Sequence, residues 1–294
     1  MSTPLIASPA RTQAIINRYG LSAKKSLGQN FLTDPNVLQH IVSAAELSEQ
    51  DNVIEIGPGI GALTEFLAKN SHQVLAFEID QNLIPVLDET LSQYDNVKIL
   101  NQDFLQVNLP QVLAAGLDMS RPLKLVANLP YYITTPILMA VLQSDISFSG
   151  ITVMMQREVA DRLVAVPGTK AYGSLSIAVQ YRSTPQVAFP VPRTVFTPQP
   201  NVDSAIVTMT KAPVFETKPF DEGAFFKFVK GCFLHRRKSF WNNLLSMFGK
   251  EPDVKDRLTN VLEKNRISPA IRAEKLTIDQ FIELTNSLHS EGLL

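Results

Sequence analysis

Two hydrophobic patterns alternate along the first two-thirds of the chain. Short, nearly continuous apolar runs read as buried strands. Between them, apolar residues recurring every three or four positions read as amphipathic helices. "NVIEIG" is a strand and "GALTEFLAKN" a helix; "QVLAFEI" is a strand and "NLIPVLDETLSQY" a helix with Pro85 near its start. "VKIL" and "LKLVAN" are further strands, the second followed by the helix "TTPILMAVLQ"; "GITVMMQ" and "REVADRLVAV" repeat the pair. Upstream, "DPNVLQHIVSAAEL" predicts a helix capped by Asp34, with Pro35 in its first turn and Leu38, Ile41, Val42 and Ala45 on one face. Apolar strands separated by amphipathic helices imply a mostly parallel sheet covered on both faces. "AVQYRSTPQVAFPV" and "VDSAIVTMT" follow as strands with no helix between them, which predicts an antiparallel edge.

After Lys211 the pattern changes. "APVFETKPF" reads as a proline-bearing linker, and only helical periodicity follows. "DEGAFFKFVKGCFLHRRKSFWNNLLSMFG" is one or two helices. "DVKDRLTNVLEKN" places Val254, Leu258, Val261 and Leu262 on one face, and "TIDQFIELTNSLHS" opens with Thr277 and Gln280 in capping-box spacing. The expected division is an α/β domain over residues 1–210 and a small all-helical domain over 211–294.

The 294 residues carry a formal net charge of −1, so bulk charge does not point to nucleic acid. The distribution is uneven: residues 1–210 sum to −4 and residues 211–294 to +3, and the first 33 residues hold Arg11, Arg18, Lys24 and Lys25 with no acid. Basic ends suit an anionic polymer, although such charges commonly form a solvated face. Cys232 is the single cysteine, which excludes an internal disulfide and fits a reducing compartment. The four histidines lack ligand spacing, so no metal is expected. Neither a membrane-length apolar run nor a signal-peptide pattern is present, and a cytoplasmic protein is expected.

The chemistry gathers at strand ends. In "EIGPGIGALTEFLA", Gly57, Gly59 and Gly61 permit positive φ and close backbone approach to a ligand. Read through Ala62, the turn also passes as a dinucleotide fingerprint. Glu78 ends the next strand, where an acid reaches ribose hydroxyls. Asp103 follows the third strand and can accept from an adenine amino group. Asn128 ends the fourth, in "LVANLPYYIT". In an open α/β sheet these strand ends share one crevice. A nicotinamide oxidoreductase would need a proton donor such as His or Lys at this rim, and none stands out. Asn128-Leu129-Pro130-Tyr131 suits another task, holding a planar amine: the amide and neighbouring carbonyls accept its protons, and a tyrosine ring stacks on its base.

"NLPY" resembles the signature of methyltransferases that act on exocyclic amines. "KKSLGQNFLTDPNV", "VIEIGPGIGALTEFL", "VANLPYYITTPIL", "MMQREVADRL", "FTPQPNVDSAIV" and "HRRKSFWNNL" together resemble the ribosomal RNA adenine dimethyltransferase family, most closely its small-subunit branch, from about Leu21 to Leu288. The broader signature has a second proline where this chain has Leu129.

The resemblance implies a Rossmann-like, S-adenosylmethionine-dependent methyltransferase domain followed by a helical rRNA-binding domain. It assigns donor binding to Asn30, Leu32, Gly57, Glu78, Asp103 and Asn128. The reaction implied is N6,N6-dimethylation of two adjacent adenosines near the 3′ end of 16S rRNA in the small ribosomal subunit, by a monomer with a part in subunit biogenesis. Asn128 and a main-chain carbonyl of Leu129 or Pro130 would accept the amino protons. Tyr131 would stack on the base, with Phe196 a candidate for its other face; Tyr132 is expected to serve packing. Arg157, Arg162, the N-terminal cations and Arg236, Arg237 and Lys238 are candidates for phosphate contacts. The related large-subunit methyltransferases of macrolide resistance and a non-catalytic assembly factor are the alternatives.

Overall fold

The computed structural model describes residues 4–21 and 28–294, and Lys24 and Lys25 lie outside them. Among the described residues the strands are β1 (Phe31–Leu32), β2 (Asn52–Ile56), β3 (Gln73–Phe77), β4 (Val97–Leu100), β5 (Leu123–Asn128), β6 (Gly150–Gln156), β7 (Ser183–Val191), β8 (Phe196–Thr197) and β9 (Ser204–Lys211). Seven form one sheet in the order β4-β3-β2-β5-β6-β9-β7. The run from β4 to β6 is parallel, and β9 pairs antiparallel with β6. The expected antiparallel edge is therefore present. β1 and β8 form a separate antiparallel pair, with Leu32 opposite Phe196. Chain order reverses between β2 and β5, and such a switch point opens a crevice at the strand ends.

The chain divides into two compact units. The first comprises residues 1–160 and 185–211. Its core joins strand residues such as Val53, Val74, Val126 and Met154 to helix residues such as Leu38, Ile41 and Leu67. The Pro35–Ala44 helix begins as expected, with Asp34 accepting the Asn36 N–H at 2.9 Å.

The second unit comprises residues 161–184 and 212–294, so the expected boundary at 210/211 misses an excursion of the chain. Tyr172, Ile177 and Tyr181 are buried in the same cluster as Phe225, Phe228, Phe240 and Phe281. The excursion also corrects a strand expectation. Ala178, Val179 and Gln180 end a helix, Ser174–Gln180, and the strand begins only at Ser183. Ser176 sets the start of that helix: its hydroxyl accepts the Gly173 N–H at 3.1 Å and donates to the Arg162 carbonyl at 2.6 Å. The last helix, Ile278–Ser290, opens with the expected capping box, in which Thr277 and Gln280 bond reciprocally at 3.0 and 3.2 Å. Among the described residues, no helix is long and apolar enough to cross a membrane.

Candidate active site

The ends of β2, β3, β4 and β5 open into one cleft of the first unit, about 1110 Å³ counted to its mouth. It is lined by every residue expected to hold a donor (Asn30, Leu32, Gly57, Glu78, Asp103 and Asn128) and by Leu129, Pro130, Tyr131 and Phe196. β1 and β8 supply Leu32 and Phe196 as one apolar wall.

The glycine turn forms the floor. Gly57 has φ +74°, a conformation costly for residues with a Cβ, and an added Cβ would lie 3.7 Å from the Pro130 ring. The turn thus passes directly against the Asn128–Tyr131 segment. Gly28, at φ +59°, closes the other side: a Cβ there would come within 3.3 Å of the Tyr132 ring and 3.5 Å of the Tyr131 amide nitrogen.

Glu78 is buried beside the turn and accepts N–H groups from Asp80 at 2.7 Å and Gly59 at 3.3 Å. Burial pushes its carboxyl pKa up, and those two amides oppose the shift. Asp103 accepts the Leu105 N–H at 3.0 Å. The Asn30 amide donates to the Gly28 carbonyl at 3.0 Å, which fixes its position in the wall. Phe77 and Phe104 meet edge to face at 5.3 Å, and the half-exposed Ile79 lies in the same lining. An apolar slot with an acid at its edge suits an adenine ring and its amino group.

At the end of β5 the geometry distinguishes two carbonyls. That of Pro130 accepts the Ile133 N–H at 3.1 Å and the Thr134 hydroxyl at 2.9 Å, which occupies both lone pairs. No described group donates to the carbonyl of Leu129. Of the two expected acceptors, Leu129 is the one left for a substrate amine. The Tyr131 phenol is held 2.6 Å from the Ser204 hydroxyl. Tyr132, expected to serve packing, is 51% exposed, lines the cleft and packs its ring beside Gly28. Phe196 is 4% exposed, so it both joins the core and faces the cleft.

Glu55 was not anticipated. It lies within β2, 1% exposed, and its Oε2 has no hydrogen-bond partner among the described residues. Burial pushes its carboxyl up to about 8; the Thr64 hydroxyl opposes the shift and the Glu78 charge adds to it. The available signal was an acid inside an otherwise apolar strand, two residues before a glycine turn. Glu55, Glu78 and Asp103 are all acids, and no Lys, Arg or His is among the described lining residues. A cleft of this kind offers a pyrophosphate no cationic side chain and suits a positively charged ligand better.

The sequence is matched over residues 20–290 by the model of the family described as "Ribosomal RNA adenine dimethylase". The chain belongs to the ribosomal RNA adenine dimethylase family. It is an rRNA adenine methyltransferase with a Rossmann-like fold. A "Ribosomal RNA small subunit methyltransferase A" of Levilactobacillus brevis is 63% identical, over 99% of this chain and 98% of that protein. One of the same name from Streptococcus pneumoniae is 56% identical, over 98% and 99%. The solved structure of the 23S rRNA methyltransferase ErmE has a TM-score of 0.62 at 28% identity, over 88% of this chain and all of that one.

In the second unit lie Arg236, Arg237 and Lys238, the expected candidates for phosphate contacts. His235–Lys238 lie in the turn between helices Glu222–Cys232 and Phe240–Phe248, not on a helix face. Arg236 donates to the carbonyls of Lys170 at 2.9 Å and Tyr172 at 2.6 Å, and sits 3.5 Å from Glu274. Its Nη2 holds the turn to the excursion, while the side chain stays partly exposed. Arg237 and Lys238 are exposed. In the first unit Arg157 is exposed at the start of a helix, and its N–H donates to the Asp203 carbonyl at 3.0 Å.

Proposed function

We propose that this protein transfers methyl groups from S-adenosylmethionine to the N6 atoms of two adjacent adenosines near the 3′ end of 16S rRNA. Its substrate is the small ribosomal subunit in the cytoplasm, and each adenosine receives two methyls. The observation that carries this reading is the pair of acceptors at the end of β5. Asn128 and Leu129 both line the cleft and no described group donates to the Leu129 carbonyl, while the Pro130 carbonyl is already filled.

The donor supplies a methyl group on a positively charged sulfur. Gly57 lets the main chain approach it, Glu78 accepts from its ribose, Asp103 from its adenine amine, and Asn30 and Leu32 bound its amino-acid half. The adenosine N6 lone pair is delocalised into the ring and is weakly nucleophilic. Asn128 Oδ1 and the Leu129 carbonyl accept its two protons, which favours a pyramidal nitrogen and fixes the line of attack. The base must leave its stack to reach these groups. Tyr131 stacks on it, and Phe196 bounds the opposite side. After the first transfer one N–H remains, so one acceptor loses its partner before the second methylation. Arg237 and Lys238 of the helical unit, and Arg157, contact phosphates and orient the subunit.

The names of the full-length relatives support the small subunit as substrate. The test is mass spectrometry of rRNA nucleosides after incubation with labelled S-adenosylmethionine and unmethylated small subunits. N6,N6-Dimethyladenosine at two adjacent positions is expected. Label only in large-subunit rRNA in a parallel incubation would overturn the reading.

A further inference from the structure

Glu55 has no part in the mechanism above, yet its surroundings are unusual. Among the three cleft acids it is the least compensated. Glu78 accepts two main-chain N–H groups and Asp103 one, whereas Glu55 Oε2 accepts none among the described residues. A carboxylate buried this deeply, eased only by the Thr64 hydroxyl and with no cation among the described residues lining the cleft, is strongly disfavoured, so the group holds a proton instead.

Thr64 and Glu78 act on it directly, and the other polar groups of the same cleft add no cation. The Ala62–Asn70 helix presents Thr64, β3 leads into Glu78, β4 into Asp103, and β5 into Tyr131 and Tyr132. Lys69 of the Ala62–Asn70 helix is 3.0 Å from Glu65 and does not line the cleft. The Pro35–Ala44 helix adds only Ile41.

We propose that Glu55 releases its proton to solvent when the sulfonium donor occupies the cleft, and regains one when the thioether product replaces it. The inference rests on the donor reading above. A positive charge brought into a cleft lined by acids stabilises the carboxylate of Glu55. Methyl transfer removes that charge, and the protein takes the proton back. The ionised residue then favours donor over product, which makes Glu55 a specificity-determining residue rather than a catalytic one. Burial keeps the carboxyl protonated up to about 8, so the exchange falls near neutral pH.

The test is calorimetry on the full chain at pH 7, in buffers of different ionisation enthalpy, with S-adenosylmethionine and with S-adenosylhomocysteine. Both ligands carry the same amino-acid group, so a difference between them reports the sulfur charge. Release of most of one proton is expected with the donor and clearly less with the product. Glu55→Gln should bind the donor without that release. A buffer-independent enthalpy for the wild type, equal release with both ligands, or release retained in Glu55→Gln would overturn the proposal. Absence of any donor binding would sink the donor reading itself. If Glu55→Gln does not fold, the wild-type ratio of donor to product affinity decides. It should rise with pH by up to about tenfold per unit and level off above about 8. A ratio that does not change with pH contradicts the proposal.

Discussion

The phenol of Tyr131 lies 2.6 Å from the hydroxyl of Ser204, a residue fully buried in β9. The Tyr131 ring is therefore anchored to the antiparallel part of the sheet, and in the proposed reading its ring rather than its hydroxyl meets the base. Tyr131→Phe and Ser204→Ala should each cost about 0.5–1.5 kcal/mol through the lost bond, and the double variant no more than the larger single effect. Tyr131→Ala should lose a further ~1–3 kcal/mol of stacking. Single-turnover methylation measures all four. A Tyr131→Phe variant as inactive as Tyr131→Ala would show that the hydroxyl takes part in the reaction.

Glu78 gives the second prediction. Glu78→Ala should weaken donor binding by about 1.5–3 kcal/mol, the worth of a hydrogen bond to a charged group. It also frees the amides of Gly59 and Asp80, so Glu78→Gln serves as the milder comparison. Calorimetry reads both affinities and thermal melts check the fold. Unchanged affinity in a folded Glu78→Ala would remove Glu78 from the site.

Local signals in the sequence survive into the structure where the deciding groups are near neighbours in the chain. The cap at Asp34 and the Thr277–Gln280 box need partners two or three residues away, and both form. The rim of Gly57, Glu78, Asp103 and Asn128 was legible because strand ends in a parallel sheet share one side whatever the details of packing. Three features depend on distant contacts and were missed. Residues 161–184 join the helical unit through Tyr172, Ile177 and Tyr181, which pack against residues beyond 211 such as Phe215, Phe225 and Phe233. Arg236 is spent on carbonyls of Lys170 and Tyr172, more than 60 positions away. Glu55 looked like an ordinary strand residue until the fold buried it without a partner.

Arg236 and its two neighbours should therefore behave differently. Replacing Arg237 and Lys238 by Ala should weaken subunit binding and lower its log–log salt slope by up to about 0.7–0.9 per lost phosphate contact. Arg236→Ala should instead lower the melting temperature of the chain, since its bonds are internal. Binding titrations over a salt series, alongside thermal melts, separate the two outcomes. An unchanged slope in the double variant would mark the turn as merely solvated.

Stability should depend on pH through Glu55. Its carboxyl sits at about 8 when folded, against an ordinary value near 4.5. Between those values the folded chain binds more protons than the unfolded one. Its contribution is thus fully present below about 4.5 and is lost as pH rises toward 8. Glu55→Gln removes this dependence. The variant should melt close to the wild type at pH 5 and progressively above it toward pH 8. A melting difference that stays constant across that range would show that Glu55 is not held neutral.

Asn128 tests the central claim most directly, that the end of β5 aligns an adenine amine for methyl transfer. The measurement is single-turnover methylation of unmethylated small subunits by Asn128→Ala, at saturating S-adenosylmethionine and with folding checked by thermal melts. Losing this acceptor should slow the chemical step by about 10²–10³, by analogy with a lost oxyanion-hole donor, while subunit affinity stays near the wild-type value. Methylation at the wild-type rate by folded Asn128→Ala would make the amide a turn residue and contradict the mechanism.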